Sequence, residues 1–210
     1  MKNISNKEYD VQAGYRMQLL NKLQSFGIIS ILLHWLMAVL IIGLFILGEY
    51  MVDLDYYDVW YKTAPDIHRS IGVIVALLLI IRLAWRLSSI YPEIIGKPWE
   101  KILAIWIHRL FYALIISIII SGYLMTTADG QAVSVFSWFD IPALLYDYEN
   151  QEDIAGEIHE WLTHILIILV ALHSLAALKH HFFNRDNTLR RMLGIGQSKT
   201  HTATLTPPKE

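Results

Sequence analysis

Four long apolar runs punctuate the chain, at residues 28–48, 68–85, 102–125 and 158–183. As helices rising 1.5 Å per residue, runs of this length cross a hydrocarbon layer about 30 Å thick. The first contains His34 as its sole ionisable residue. In the second, Arg69 and Arg82 bracket the apolar core IGVIVALLLII, and both can snorkel toward an interface. The third carries His108 and Arg109 one or two turns in, and the fourth holds five histidines, more than packing requires. The pattern predicts an all-α integral membrane four-helix bundle.

The polar segments between the runs are sorted by charge. Residues 49–66 (EYMVDLDYYDVWYKTAPD) and the third loop, with Asp129, Asp140, Asp147, Glu149, Glu152 and Asp153, are acidic and aromatic. Arg82, Arg86, Lys97, Lys101 and Arg109 frame the second loop, and Lys179, Arg185, Arg190 and Arg191 follow the fourth run. The positive-inside rule then places both termini and the middle loop in the cytoplasm. Trp60, Tyr61, Trp138, Phe139 and Tyr146 suit an interfacial belt at the opposite surface. Gly130 and Pro142 argue against a continuous helix through the third loop, which is expected to pack as a short lid.

Composition narrows the class. Of 210 residues 55% are hydrophobic and 17% charged, with a mean hydropathy of +0.41, too apolar for an ordinary soluble domain. Four crossings and their loops leave little room for a second domain, giving an N-terminal extension at 1–25, a transmembrane domain at 26–193 and a polar, proline-bearing tail at 194–210 that reads as disordered and cytoplasmic. A net charge of −2 without a basic face excludes a nucleic-acid partner. With no cysteine there is no disulfide, iron–sulfur cluster or covalent c-type haem. The first apolar run lacks a small-residue cleavage site, so it is expected to stay in the mature protein.

Ionisable residues inside a span are costly and mark function. With cytoplasmic termini, His34, His108 and His173 lie in the inner half of the bilayer, and His68 and His159 in the outer half. His159 and His173 are 14 residues apart, which on a helix is roughly 21 Å along the axis and nearly the same face. One helix thus offers a ligand at each depth. Pairing by depth joins His68 with His159 and His34 with His173, each pair able to grip a haem iron from opposite sides. Small residues one turn away make room for a porphyrin: Ser30 and Ala38 flank His34, Ala64 and Gly72 flank His68, Ala155 and Thr163 flank His159, and Ala177 follows His173. His108, with Ala104 but also Tyr112 beside it, is the rival for the inner site, and His164 reads as a non-ligand. Taken singly, a membrane histidine is as readily a helix-to-helix hydrogen-bond residue.

Other positions follow the same geometry. Arg82 lies 14 residues after His68, so it reaches the inner level, as a partner for a haem propionate or as a topological anchor. His180, seven residues after His173 on the same face, suits a hydrogen bond to a quinone carbonyl, a proton relay, or a plain interfacial role beside Lys179 and His181. Arg69 could serve outer propionates or an arriving anion. There is no catalytic triad, phosphate-binding glycine loop or zinc spacing.

SILLHW around His34, DIHRSIG around His68, HRLFYALIISIIISGYLM in the third run and GEIHEWLTHILIILVALHSLAALKHHFFNRDNTLRRML in the fourth resemble the bacterial cytochrome b561 family of four-span dihaem proteins, over about residues 26–193. The resemblance implies non-covalent haem b on His34 and His173 and a second on His68 and His159, in the bacterial inner membrane. It implies electron exchange with ubiquinone, and in one branch oxidation of superoxide at the periplasmic face; His180 matches a histidine associated with the quinone site of that branch. A different class of reading is a haem-bearing anchor that links a periplasmic dehydrogenase or hydrogenase to the quinone pool, with the acidic third loop as its docking surface.

Overall fold

A computed structural model describes residues 18–195; most of the N-terminal extension and of the 194–210 tail lies outside the described residues. The expected four-helix architecture is present. The helices are α1 (Ile28–Val52), α2 (Thr63–Ser88), α3 (Pro98–Thr126) and α4 (Gln151–Lys179), each long and apolar enough to cross a membrane. Leucine and isoleucine side chains such as Leu32, Ile46, Leu77, Ile80 and Leu172 stand exposed around the bundle, as the faces of helices solvated by lipid rather than water should.

α3 and α4 begin before their apolar runs, each with a polar first turn held by side-chain hydrogen bonds. Pro98 opens α3, and the Glu100 side chain accepts a hydrogen bond from the Lys97 amide at 2.9 Å. α4 begins seven residues before its apolar run, with Glu152 and Asp153 at its positive end and Asn150 in the left-handed region at φ 55°. Gln151 secures that start by donating to the carbonyls of Leu124 and Leu145, at 2.9 and 3.0 Å.

α1 packs chiefly on α2 and α3 chiefly on α4, so the molecule is two helical hairpins with a seam between them. Met37, Val75 and Leu79 form the buried cluster at mid-height, covered by Leu40, Leu44, Tyr112 and Ile115. This apolar plug separates the histidines at the two ends. The third loop contains an antiparallel hairpin, β1 (Val133–Val135) and β2 (Phe139–Ile141), with Val133 and Val135 buried.

At the basic end, α4 continues into a π-helical turn, His180–Asn184, stopped by Arg185 at φ 51°, and then α5 (Thr188–Met192). The segment from Gln18 is part of this end. Asn21 Oδ1 accepts from the Gly27 amide at 2.8 Å and Ser30 Oγ at 2.7 Å, and the Leu23 carbonyl accepts from Glu93 N at 2.9 Å. A Cβ at Gly27 would lie 2.3 Å from the Leu19 carbonyl oxygen, so only glycine permits this approach. Arg191 closes the cap, donating to the Glu93 carbonyl at 2.9 Å with its guanidinium over the Phe26 ring.

Candidate haem-binding sites

At the acidic end, His68 on α2 faces His159 on α4 with ring centroids 6.3 Å apart. At the basic end, His34 on α1 faces His173 on α4 at 6.5 Å. Two imidazoles that hold one metal from opposite sides, with metal–nitrogen bonds of roughly 2 Å, have centroids about 6 to 6.5 Å apart. Both pairs therefore have the spacing of a bis-histidine site, and both bridge the seam between the two hairpins.

Hydrogen bonds to Nδ1 decide which ring nitrogen is free for a metal. His159 Nδ1 lies 2.9 Å from the Ile118 carbonyl, which can only accept, so Nδ1 carries the proton and Nε2 keeps its lone pair; Ser121 Oγ is 3.3 Å from the same nitrogen. His68 Nδ1 is buried without a hydrogen-bond partner among the described residues, so no such bond sets its tautomer. His34 differs, because Arg82 Nη2 donates to its Nδ1 at 3.1 Å. An arginine cannot accept, which puts the His34 proton on Nε2. Ligation through that Nε2 goes with release of Arg82, and the freed guanidinium is at the right level for a carboxylate. The outer pair fits a haem as it stands, and the inner pair fits with that one exchange.

Two glycines that the sequence reading passed over lie against the outer rings, and Gly122 leaves space that a Cβ would take from His159. A Cβ at Gly122 would sit 2.9 Å from His159 Cε1, and one at Gly48 would sit 3.5 Å from His68 Cε1. Their signal was available as single glycines inside otherwise bulky apolar runs, one turn-level away from the outer histidines. Ser121 and the Ile118 carbonyl carried no such signal.

The remaining sequence candidates fall into place around these pairs. His108 joins the inner group: its ring is 5.5 Å from His173, edge to face, and its Nδ1 donates to the Ala104 carbonyl at 2.5 Å. Phe111 contacts His173 at the same distance of 5.5 Å. His164 is apart from both pairs, donating to the Glu160 carbonyl and 3.6 Å from Glu49. Arg69 projects to the surface and pairs with Asp66 one turn away.

His180 is half-buried at the head of the π-turn, and its Nδ1 donates to Asp186 Oδ2 at 2.6 Å. Asp186 Oδ1 in turn accepts from the Thr188 amide at 2.9 Å, which starts α5. Burial alone would raise the Asp186 carboxyl, but its bonds from Thr188 and His180 outweigh burial and hold it below the usual carboxylate value. Beside this dyad lies a cavity of about 420 Å³ lined by Leu23, Glu93, Ile95, Gly96, Asn187 and Arg191. Gly96 is its link to His180, since a Cβ there would be 3.6 Å from His180 Cε1.

Residues 25–194 match the family model described as prokaryotic cytochrome b561. The chain is 45% identical over 184 residues to cytochrome b561 homolog 2 of Escherichia coli K12, covering 87% of this chain and 98% of that one. It is 29% identical over 181 residues to the probable superoxide oxidase CybB of Yersinia pestis, covering 81% and 96%. Cytochrome b561 homolog 1 of E. coli K12 is 25% identical over 170 residues, covering 80% and 96%. The chain is a multi-pass membrane electron carrier of the prokaryotic cytochrome b561 family, a family that carries haem b.

Proposed function

We propose that this protein binds two b haems, one on His68 and His159 and one on His34 and His173, and passes electrons between a donor at the acidic end and ubiquinone at the basic end. The observation that carries the reading is the pair of histidine couples at 6.3 and 6.5 Å, each bridging the same seam and each taking one member from α4. The haems, when bound, supply the one-electron couples. The chain supplies everything that places them: α4 sets two ligands roughly 21 Å apart on one face, the Met37, Val75 and Leu79 cluster keeps water from the path between them, and Arg82 stands at the inner level for a propionate.

At the basic end, the cavity beside Gly96 takes the quinone ring, with His180 Cε1 next to Gly96 and Asp186 engaging His180 Nδ1, which leaves Nε2 for the quinone. A quinone reduced there takes two electrons and two protons, and the His180–Asp186 dyad is the proton-bearing group next to the cavity. At the acidic end the exposed guanidinium of Arg69 beside His68 suits a small anion. The likeness to a probable superoxide oxidase supports superoxide as that anion. Two superoxide ions then give up one electron each and leave as oxygen. On this reading both termini are cytoplasmic, and the acidic end is periplasmic.

The test is haem content by pyridine haemochrome on detergent-purified chain, wild type beside His34→Ala, His68→Ala, His159→Ala and His173→Ala. Two b haems, with about one lost in each variant, is the expected result. Full haem content in any of the four variants, or loss confined to His108→Ala, would sink the assignment. Superoxide-driven ubiquinone reduction by the isolated wild-type chain then tests the donor.

A further inference from the structure

The hairpin β1–β2 covers the wrong side of α2 for a lid over the histidines. His68, Val75 and Leu79 share one face of that helix, the face turned to the bundle interior. Ser70 lies roughly 140 to 180° around the helix from all three, on the side that a membrane helix turns to lipid. Yet Ser70 is only 1% exposed. The hairpin covers it: the Phe136 amide donates to Ser70 Oγ at 3.0 Å, and the Ser70 hydroxyl points to the Ser134 carbonyl at 3.5 Å.

Depth follows from the helix. A hydrocarbon layer about 30 Å thick takes up about 20 residues, and when it is centred on the 26 residues of α2 its edge falls near Asp66. Ser70 then sits roughly 6 Å inside that edge. Backbone at such a depth must have its polar groups satisfied by protein, which is what Ser70 does for Phe136. Residues 130–139 contain no charge, although Asp129 and Asp140 adjoin them directly. Their apolar side chains divide cleanly. Val133 and Val135 are buried, whereas Phe136, Trp138 and Phe139 are 38, 79 and 49% exposed.

The turn itself is unusual. Trp138 N donates to the Val135 carbonyl at 2.8 Å across Phe136 and Ser137, both at positive φ, 48° and 59°. Such a two-residue turn ordinarily takes glycine or asparagine. An aromatic residue in a strained position that exposes it is what a surface in contact with lipid would use, and tryptophan favours the level of the headgroups.

We propose that the β1–β2 hairpin is a re-entrant interfacial element, seated against the outward face of α2 with Phe136, Trp138 and Phe139 in contact with phospholipid at the acidic end of the bundle. Ser70 is its tether to the helix.

The chain has no cysteine, so a nitroxide can be placed at one position without further changes. The haem-loaded Trp138→Cys protein, labelled in nanodiscs of phosphatidylethanolamine and phosphatidylglycerol, is compared by power saturation with Tyr57→Cys, which marks an exposed loop position. Position 138 is expected to be several-fold less accessible to the aqueous nickel reagent and more accessible to oxygen than position 57. Adding Ser70→Ala should raise label mobility and nickel access at 138. Nickel access equal to that at position 57 would overturn the proposal, since it places the turn in water. Shielding from both reagents would also overturn it, since it places the turn against protein. If Trp138→Cys fails to accumulate, Ser137→Cys reads the same turn by the same criteria.

Discussion

His159 is held by three neighbours that share no sequence motif with it: the Ile118 carbonyl, Ser121 Oγ and Gly122. The glycine is decisive, because a Cβ at 2.9 Å from the ring forces the imidazole away, whereas the 3.5 Å expected at Gly48 is ordinary contact with His68. Gly122→Ala should therefore weaken retention of the outer haem by about 10- to 100-fold, while Gly48→Ala keeps both haems. Haem stoichiometry together with the low-spin electron paramagnetic resonance signals of the two sites distinguishes the variants. Equal behaviour of the two alanines would mean that the rings are not set by these contacts. Asp186 works at one remove in the proposed quinone site, by engaging Nδ1 of His180 and so setting its tautomer. Asp186→Asn should lower ubiquinone reduction by about tenfold or more without loss of haem, which separates a role at the quinone from a general collapse of the bundle.

Among the elements, the π-turn and α5 depend on a single carboxylate. Asp186 joins His180 to the first turn of α5, and its bonds from Thr188 and His180 hold its carboxyl below the usual carboxylate value. A carboxyl lowered by folding contributes stability that is complete above its unfolded value and is lost as the pH falls through its folded value. The basic cap should thus stay ordered at neutral pH and loosen only in acid, as the pH falls below the usual carboxylate value toward the lowered one. A nitroxide at Arg190→Cys should report that loosening as increased mobility in acid, and Asp186→Asn should already show it at neutral pH. No change in either case would mean that α5 is held instead by Arg191 on the Glu93 carbonyl and Trp35 on the Met192 carbonyl. The existence of four helices was legible because hydrophobic length alone predicts a span. Their true ends were not, since the polar first turn of α4 is stabilised by Gln151 donating to the carbonyls of Leu124 on α3 and Leu145 in the third loop. The hairpin was equally hidden, being a three-residue ladder with non-glycine residues at positive φ.

For the whole molecule, charge sorting and an even number of spans make one orientation claim. Basic residues gather at the α2–α3 loop and beyond α4, with acidic residues at the other end. Both ends of the described chain lie at the basic surface, where Arg191 reaches Glu93 and Phe26. Alkaline phosphatase fused after Glu210 should be inactive and a fluorescent protein fused there bright, as the positive-inside rule requires. The opposite pattern would place the inner histidine group, the cavity and the proposed quinone site at the periplasm and reverse the direction proposed for the electron.

The sequence by itself determined that the chain is a four-span helical membrane protein, because burying backbone in lipid leaves helices as the available structure for such runs. It also put His159 and His173 on one face of one helix, because helical rise and twist are local properties. What only the tertiary structure decided is how the helices meet: that both histidine couples bridge the seam between two hairpins, that His108 lies against His173, and that Arg82 donates to His34. It also decided that Gly48 and Gly122 make room for rings on neighbouring helices, and that the third loop folds onto the outward face of α2. Each of these depends on helix rotation and on contacts between residues far apart in the chain, for which hydrophobic patterning gives no signal when lipid-facing and bundle-facing side chains are equally apolar.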